Sequence, residues 1–310
     1  MFSGKEMMGV LRLSHLEVGV EDLELCAAHY VEVVGMVEVL REPGRAYLKC
    51  WDEEDHHSLV LTQAPERSLV HVAFKVEEEG DLESLETAVE KQGCAVERIP
   101  AGTETGQGEA VRFDAPTGHQ VEIVYEMEKA GRLLPKTNPP PQPPGLVGIH
   151  PPRLDRAHLS PGDVDEAEEF FARTLGFRTT ERVVADGGGA LAAWMERSHT
   201  ACDLALVPGP HGGLHHLSFA VEDRAEVLRA ADVLACNGVH VEAGPVRSGA
   251  TRAQGLHFLD PAGNGNEVFA GGYRVDPDSE PITWTEEEMG RAFFYPQPNL
   301  YAGFLRSQKV

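Results

Sequence analysis

The chain has 310 residues, enough for two domains of ordinary size that each bury a core of their own. Its formal charge of -23 and the absence of any basic stripe exclude a phosphate backbone or an anionic lipid surface as the expected partner. Five cysteines, Cys26, Cys50, Cys94, Cys202 and Cys236, form an odd set with no CxxC pair, which suits a reducing, cytoplasmic compartment. No apolar run approaches the ~18–20 residues that a bilayer span needs, and Met1 to Met8 lacks the apolar core of a signal peptide, so a soluble, non-exported protein is expected.

In chain order, LSHLEVGVEDLELCAAHYVEVVGM opens the first half with an alternating strand that feeds an amphipathic helix. Asp22 falls near the helix start and Gly35 just past its end, as helix capping favours. A second alternating strand follows at VHVAFKV around His71, and the half closes on PTGHQVEIV, a tight turn leading into a strand that carries Glu122. Eight prolines between Pro135 and Pro152 then rule out helix and central strand alike.

Beyond this linker the pattern repeats. LDRAHLSPGDVDEAEEFFARTLGF places Arg156, Asp163 and Gly176 at the offsets of 7 and 20 that separate His15, Asp22 and Gly35. From His71 onward the copies match without a gap: His71, Gly93, Pro100, Pro116, Gly118 and Glu122 correspond to His216, Gly238, Pro245, Pro261, Gly263 and Glu267, each displaced by 145 residues. The expected organisation is a domain at 1–133, a Pro-rich linker at 134–152, a second domain at 153–275 and a tail at 276–310. The fold class is α+β, built of tandem strand-helix-strands modules, two per domain, forming two half-open barrels.

Two neutral imidazoles and a carboxylate on adjacent strands hold a metal from one side and leave the opposite face open, the arrangement suited to Fe(II) or Mn(II). His15, His71 and Glu122 are the candidates, because all three sit on strands whose alternation could direct them into one half-barrel.

These residues, with GRAYLKCWDEEDHHSLVL, GGLHHLSF, LDPAGNGNEVFAGG and PITWTEEEMGRAFFY, resemble the catechol 2,3-dioxygenases, the type I extradiol ring-cleaving enzymes of the vicinal-oxygen-chelate superfamily. The resemblance spans essentially the whole chain and implies paired βαβββ modules and a homo-oligomer. It also implies an iron held in the second half at Arg156, His216 and Glu267. Arginine has no lone pair to give a metal. His158, two residues on and on the same strand face, is the substitute the sequence offers. The family's catalytic histidine falls on Cys202, its second active-site histidine on Ser248 and its tyrosine on His257, so the second half is expected to be degenerate. In the first half the position equivalent to Cys202, fourteen residues before His71, is His57, and the other two positions become Thr103 and Arg112. The expected metal site is therefore His15, His71 and Glu122, with His57, Arg112 and Thr103 as the catalytic group.

The resemblance further implies that a small aromatic diol binds through both oxygens, that dioxygen takes the remaining position, and that the ring opens beside the diol to a 2-hydroxymuconic semialdehyde type of product. His57 would move a proton between substrate hydroxyl and dioxygen. Two readings compete: another reaction of the same superfamily scaffold, such as an isomerisation or lyase step, and a non-catalytic paralogue that binds an aromatic ligand. The tail is expected to pack a core or to cover the second half's pocket.

Overall fold

The computed structural model describes residues 9–296 together with Leu300 and Phe304. In the first half, β1 (Val10–Val20) leads into α1 (Leu23–Ala28), whose chain continues as a π-helical segment (His29–Val34), and then β2 (Val37–Glu42), β3 (Arg45–Lys49) and β4 (Leu59–Gln63). A second unit of the same kind follows, with β5 (Ser68–Val76), α2 (Gly80–Lys91), β6 (Val96–Ile99), β7 (Ala110–Asp114) and β8 (Gln120–Val124). The second half repeats both units as β9 (Arg153–Ser160), α3 (Val164–Leu175), β10 (Arg178–Val184), β11 (Ala190–Glu196), β12 (Leu204–Leu206), and β13 (Gly213–Ala220), α4 (Arg224–Cys236), β14 (Val241–Arg247), β15 (Ala253–Leu259), β16 (Gly265–Gly271).

The capping residues behave as their chemistry requires. The Asp22 and Asp163 side chains accept from the backbone N–H of Leu25 and Glu166, closing the first turns of α1 and α3. Gly35 and Gly176 end those helical stretches in the left-handed region at φ 85° and 74°. Each P-x-G segment is a tight turn, with Gly118 N–H donating to Ala115 O and Gly263 N–H to Asp260 O.

The strands form two open sheets, ordered β2-β3-β4-β1-β5-β8-β7-β6 in the first half and β14-β15-β16-β13-β9-β12-β11-β10 in the second. In each, the opening strands of the two modules pair antiparallel at the centre, β1 with β5 and β9 with β13, while β8 and β16 add parallel to them. The tail adds β17 (Ile282–Thr285) to the free edge of β10 and then α5 (Met289–Phe293). Phe293, Phe294 and Phe304 are buried against Trp194 and Ala205, so this part of the tail packs a small core. Residues 297–299, 301–303 and 305–310 of the tail lie outside the described residues.

The halves share one apolar core. Phe74 of β5 meets Phe177 at 5.2 Å and Phe171 of α3 at 6.2 Å, so the second half's first helix packs on the first half's sheet. Reciprocally, the Tyr30 hydroxyl, beyond α1, donates to Asp260 Oδ2 at 3.1 Å. His119 ties the halves through a polar contact, with Nε2 donating to Gly213 O at 3.0 Å and Nδ1 accepting from Thr117 Oγ1 at 2.9 Å. The proline-rich segment carries no strand or helix, yet it is fastened: Ile149 and His150 donate to Val33 O and Val34 O, and Arg229 reaches Gly148 O and Ile149 O.

Two stability predictions follow from this packing. A Cβ on Gly35 would lie 2.2 Å from Val147 O in a left-handed backbone, so Gly35→Ala should cost at least about 1–2 kcal/mol in chemical denaturation. His119 is pushed down to about 4, chiefly by burial, against 6.5 for the exposed group. The unfolded chain thus takes up a proton below about pH 6.5 that the folded chain refuses until about pH 4. Its stabilising contribution is full above that window and is lost as pH falls through it. The thermal midpoint should drop across it, and His119→Asn should flatten the decline; an unchanged slope would count against this role.

Candidate metal centre

Strand register assembles the first-half site. Ala73 of β5 stands opposite His15 of β1 on one side and Glu122 of β8 on the other, and Arg112 of β7 stands opposite Glu122. His15, Ala73, Glu122 and Arg112 therefore form one row across four strands. One step along the sheet, His71 lies opposite Glu17. Because side chains two apart share a strand face, both rows present to the same side.

The three candidate ligands are buried to 2% exposure or less. His15 Nε2 and His71 Nε2 are 3.0 Å apart, with the ring planes 85° to each other. His15 Nε2 lies 3.7 Å from Glu122 Oε1. Ligands about 2.0–2.2 Å from one ion and at right angles to each other are about 3 Å apart, so the imidazole pair already has the spacing of adjacent coordination positions. Glu122 Oε2 accepts from Arg112 Nη2 at 2.6 Å and Nε at 2.9 Å, whereas the buried Oε1 has no hydrogen-bond partner among the described residues. A buried, unpartnered carboxylate oxygen facing two imidazole nitrogens is costly for the protein alone and is relieved by a cation.

Burial is the main cause of every shift here. It lowers His15 well below the usual range, helped by His71 and Arg112, and takes His71 down to about 3. Both rings are neutral at physiological pH, as ligands must be. Burial also raises the Glu122 carboxyl, and the adjacent Arg112 guanidinium opposes that rise. Behind the ligands, His71 Nδ1 is 3.5 Å from Glu17 Oε2, and Glu17 Oε1 is in turn held by Thr62 Oγ1 and by Arg45 at 3.3 Å. Such a carboxylate fixes the orientation of a ligating histidine. Glu104 binds both Arg45, at 2.8 Å, and Arg112, at 3.2 Å.

His57 is brought to the site. Its ring centroid is 4.8 Å from that of His15, its Nδ1 is 3.0 Å from His56 Nδ1, and it lines a cavity of about 350 Å³ with Ser14, Arg12 and Asp155. Arg112 is there too, on the far side of Glu122. Thr103 is not: it is exposed in a turn after β6, and its hydroxyl joins none of the site's contacts. The glutamate after it, Glu104, reaches inward instead. Sequence reasoning also passed over Glu17, Arg45 and Glu104; of these Glu17 was visible in principle, two residues from His15 on one strand face.

The second half, expected to be degenerate, also brings candidate ligand types together. His158, His216 and Glu267 also gather there, with donor atoms within 4.8 Å of one another. His158 stands directly opposite His216 in the β9–β13 pairing, and Arg156 opposite Ser218. The strand's period of two puts His158 on the same face as Arg156, where it can stand in for the arginine. The other family positions remain changed. Cys202 is buried, which pushes its thiol up to about 12, and the Ser248 hydroxyl donates to Ala292 O. His257 Nε2 lies 4.0 Å from Glu267 Oε1.

Comparison with known proteins bears on this geometry. Residues 69–128 match the model of the catechol 2,3-dioxygenase-like N-terminal domain, and residues 153–268 that of the glyoxalase/bleomycin resistance protein/dioxygenase superfamily. The metapyrocatechase of Pseudomonas sp. (strain CF600) is 37% identical over 300 residues, covering 96% of this chain and 98% of that protein. The chain belongs to the type I extradiol dioxygenases. The fold of this dioxygenase is likewise that of the 2,3-dioxygenase LapB from Pseudomonas sp. KL28, at 39% identity and a TM-score of 0.87 over 90% of this chain and 98% of that one. A manganese-dependent 2,3-dihydroxybiphenyl 1,2-dioxygenase of Geobacillus genomosp. 3 is 30% identical over 95% of this chain and 96% of its own length.

Removing Arg112 takes away the charge that most opposes the rise of the Glu122 carboxyl by burial, so protons compete with a cation to higher pH. In Arg112→Gln the acid limb of Mn(II) binding, followed by electron paramagnetic resonance, should move to higher pH.

Proposed function

We propose that this extradiol dioxygenase opens the ring of a catechol-type aromatic diol with dioxygen at a divalent ion held by His15, His71 and Glu122. The reading is carried by the orphaned Glu122 Oε1 beside two neutral imidazole nitrogens at coordination spacing. When bound, the ion supplies a template for both catechol oxygens and dioxygen and a path for charge between them. The protein's residues supply the rest. His15, His71 and Glu122 would hold the ion, and three protein ligands would leave positions for substrate and dioxygen. Arg112 takes one oxygen of Glu122 and thereby turns the other toward the ion. Glu17, 3.5 Å from His71 Nδ1, stands where a carboxylate can orient that ring.

His57, with Nδ1 engaged by His56 and its ring beside His15, accepts the proton that leaves the substrate hydroxyl and returns it to the oxygen side. Burial lowers its pKa well below the ordinary value, followed in weight by the neighbouring His15 and His56, so it starts as a base.

Fe(II) and Mn(II) both suit two histidines and a carboxylate, and a manganese-dependent relative supports keeping both. Five unpaired cysteines support a cytoplasmic location, and the family resemblance supports a homo-oligomer. Anaerobically loaded protein should consume oxygen with catechol or 3- and 4-substituted catechols and give a yellow ring-fission product. His15→Ala should lose both metal and turnover. His57→Asn should keep the metal and lose about 10²–10⁴-fold in kcat. Oxygen uptake unaffected by His15→Ala would overturn the assignment to the first half.

A further inference from the structure

The two halves invert one another's charges along matched rows. Across the first half the row reads His15, Ala73, Glu122, Arg112; across the second it reads Arg156, Ser218, Glu267, His257. Arginine and histidine have changed ends about a shared glutamate. In the first half the guanidinium lies on the far side of the carboxylate, bonded to Glu122 and Glu104. In the second it occupies the position from which His15 would serve a metal.

Arg156 is also differently held. It is 4% exposed, and its Cζ sits 3.4 Å over the centre of the Phe269 ring. It makes no hydrogen bond among the described residues, and its ion-pair contact is Asp155 at 3.9 Å, the neighbouring residue, whose side chain alternates to the other face of the strand. Its charge is thus not absorbed by a bonded carboxylate, as that of Arg112 is. Arginine does not shed this charge at any accessible pH.

The second cluster differs in two further ways. His158 and His216 stack with centroids 3.7 Å apart and planes 24° from parallel, so their lone pairs run side by side rather than converging. Ser218, where the first half has Ala73, donates to Glu267 Oε2 at 2.7 Å and so occupies the oxygen nearest both rings.

From these three differences we infer that Arg156 keeps divalent metal out of the His158–His216–Glu267 cluster and so confines it to the first half. The ion would have to settle beside a guanidinium that no carboxylate hydrogen-bonds, between rings not turned toward it, against a carboxylate oxygen already bonded. The inference rests on the first-half assignment above, and the experiment separates the two.

Metal-free full-length protein is titrated with Mn(II), and bound equivalents are counted by equilibrium dialysis and electron paramagnetic resonance. Wild-type protein should take up one equivalent per chain, retained in His216→Ala and lost in His15→Ala. Arg156→His should take up a second, and Arg156→Met, which keeps side-chain bulk over Phe269 while removing the charge, should take up a second more weakly. That gain should vanish when His216→Ala is added. Two equivalents in the wild type, or one in both Arg156 variants, would sink the exclusion by Arg156 and leave the first-half site standing. A single wild-type equivalent lost in His216→Ala and kept in His15→Ala would overturn both.

Discussion

The register of three strands, β1, β5 and β8, is the constraint on which the first-half site depends. With Ala73 between them, His15 and Glu122 lie two strands apart in one row, and His71 enters from the adjacent row. A slip of one residue in any of these pairings would turn a ligand to the other face of the sheet. The register is fixed by the core beneath: Leu16, Val18, Val72, Phe74, Val121 and Ile123 are fully buried, and they cannot be exposed without losing the apolar contact that joins the two halves.

Built on that row is a buried electrostatic arrangement that is incomplete without a cation. Arg112 satisfies one oxygen of Glu122 and leaves the other unpartnered, while desolvation keeps both imidazoles neutral. The supporting groups, Glu17, Arg45 and Glu104, alternate in sign, so each charge near the ligands is met by an opposite one. The same fold in the second half meets its glutamate differently, with Ser218 at one oxygen and with stacked rings nearby. Duplication thus gave two half-barrels with the same backbone plan, and a few side chains in matched positions separate their chemistry.

Much of this was readable in the sequence. The displacement of 145 residues identified the repeat, the aspartate and glycine caps marked the helices, and the P-x-G turns located the strands that carry Glu122 and Glu267. His15, His71, Glu122, His57 and Arg112 were singled out by the family resemblance carried across the repeat, and tertiary structure brings them together. Thr103 was singled out by the same arithmetic and stands exposed, because a turn does not preserve facing direction as a strand does.

Sequence by itself determined the duplication, the α+β modules and the residue types able to hold a metal, because hydrophobic period and residue chemistry are local properties. Tertiary structure decided which oxygen of Glu122 is left without a partner and which carboxylates neutralise Arg112. It also decided that His158 stands opposite His216 while Arg156 turns onto Phe269. These are matters of distance and direction between strands far apart in the chain, and packing of the shared core sets them. The triad that opened as three residue types in a repeat is, in the folded chain, two converging imidazoles and one unsatisfied oxygen.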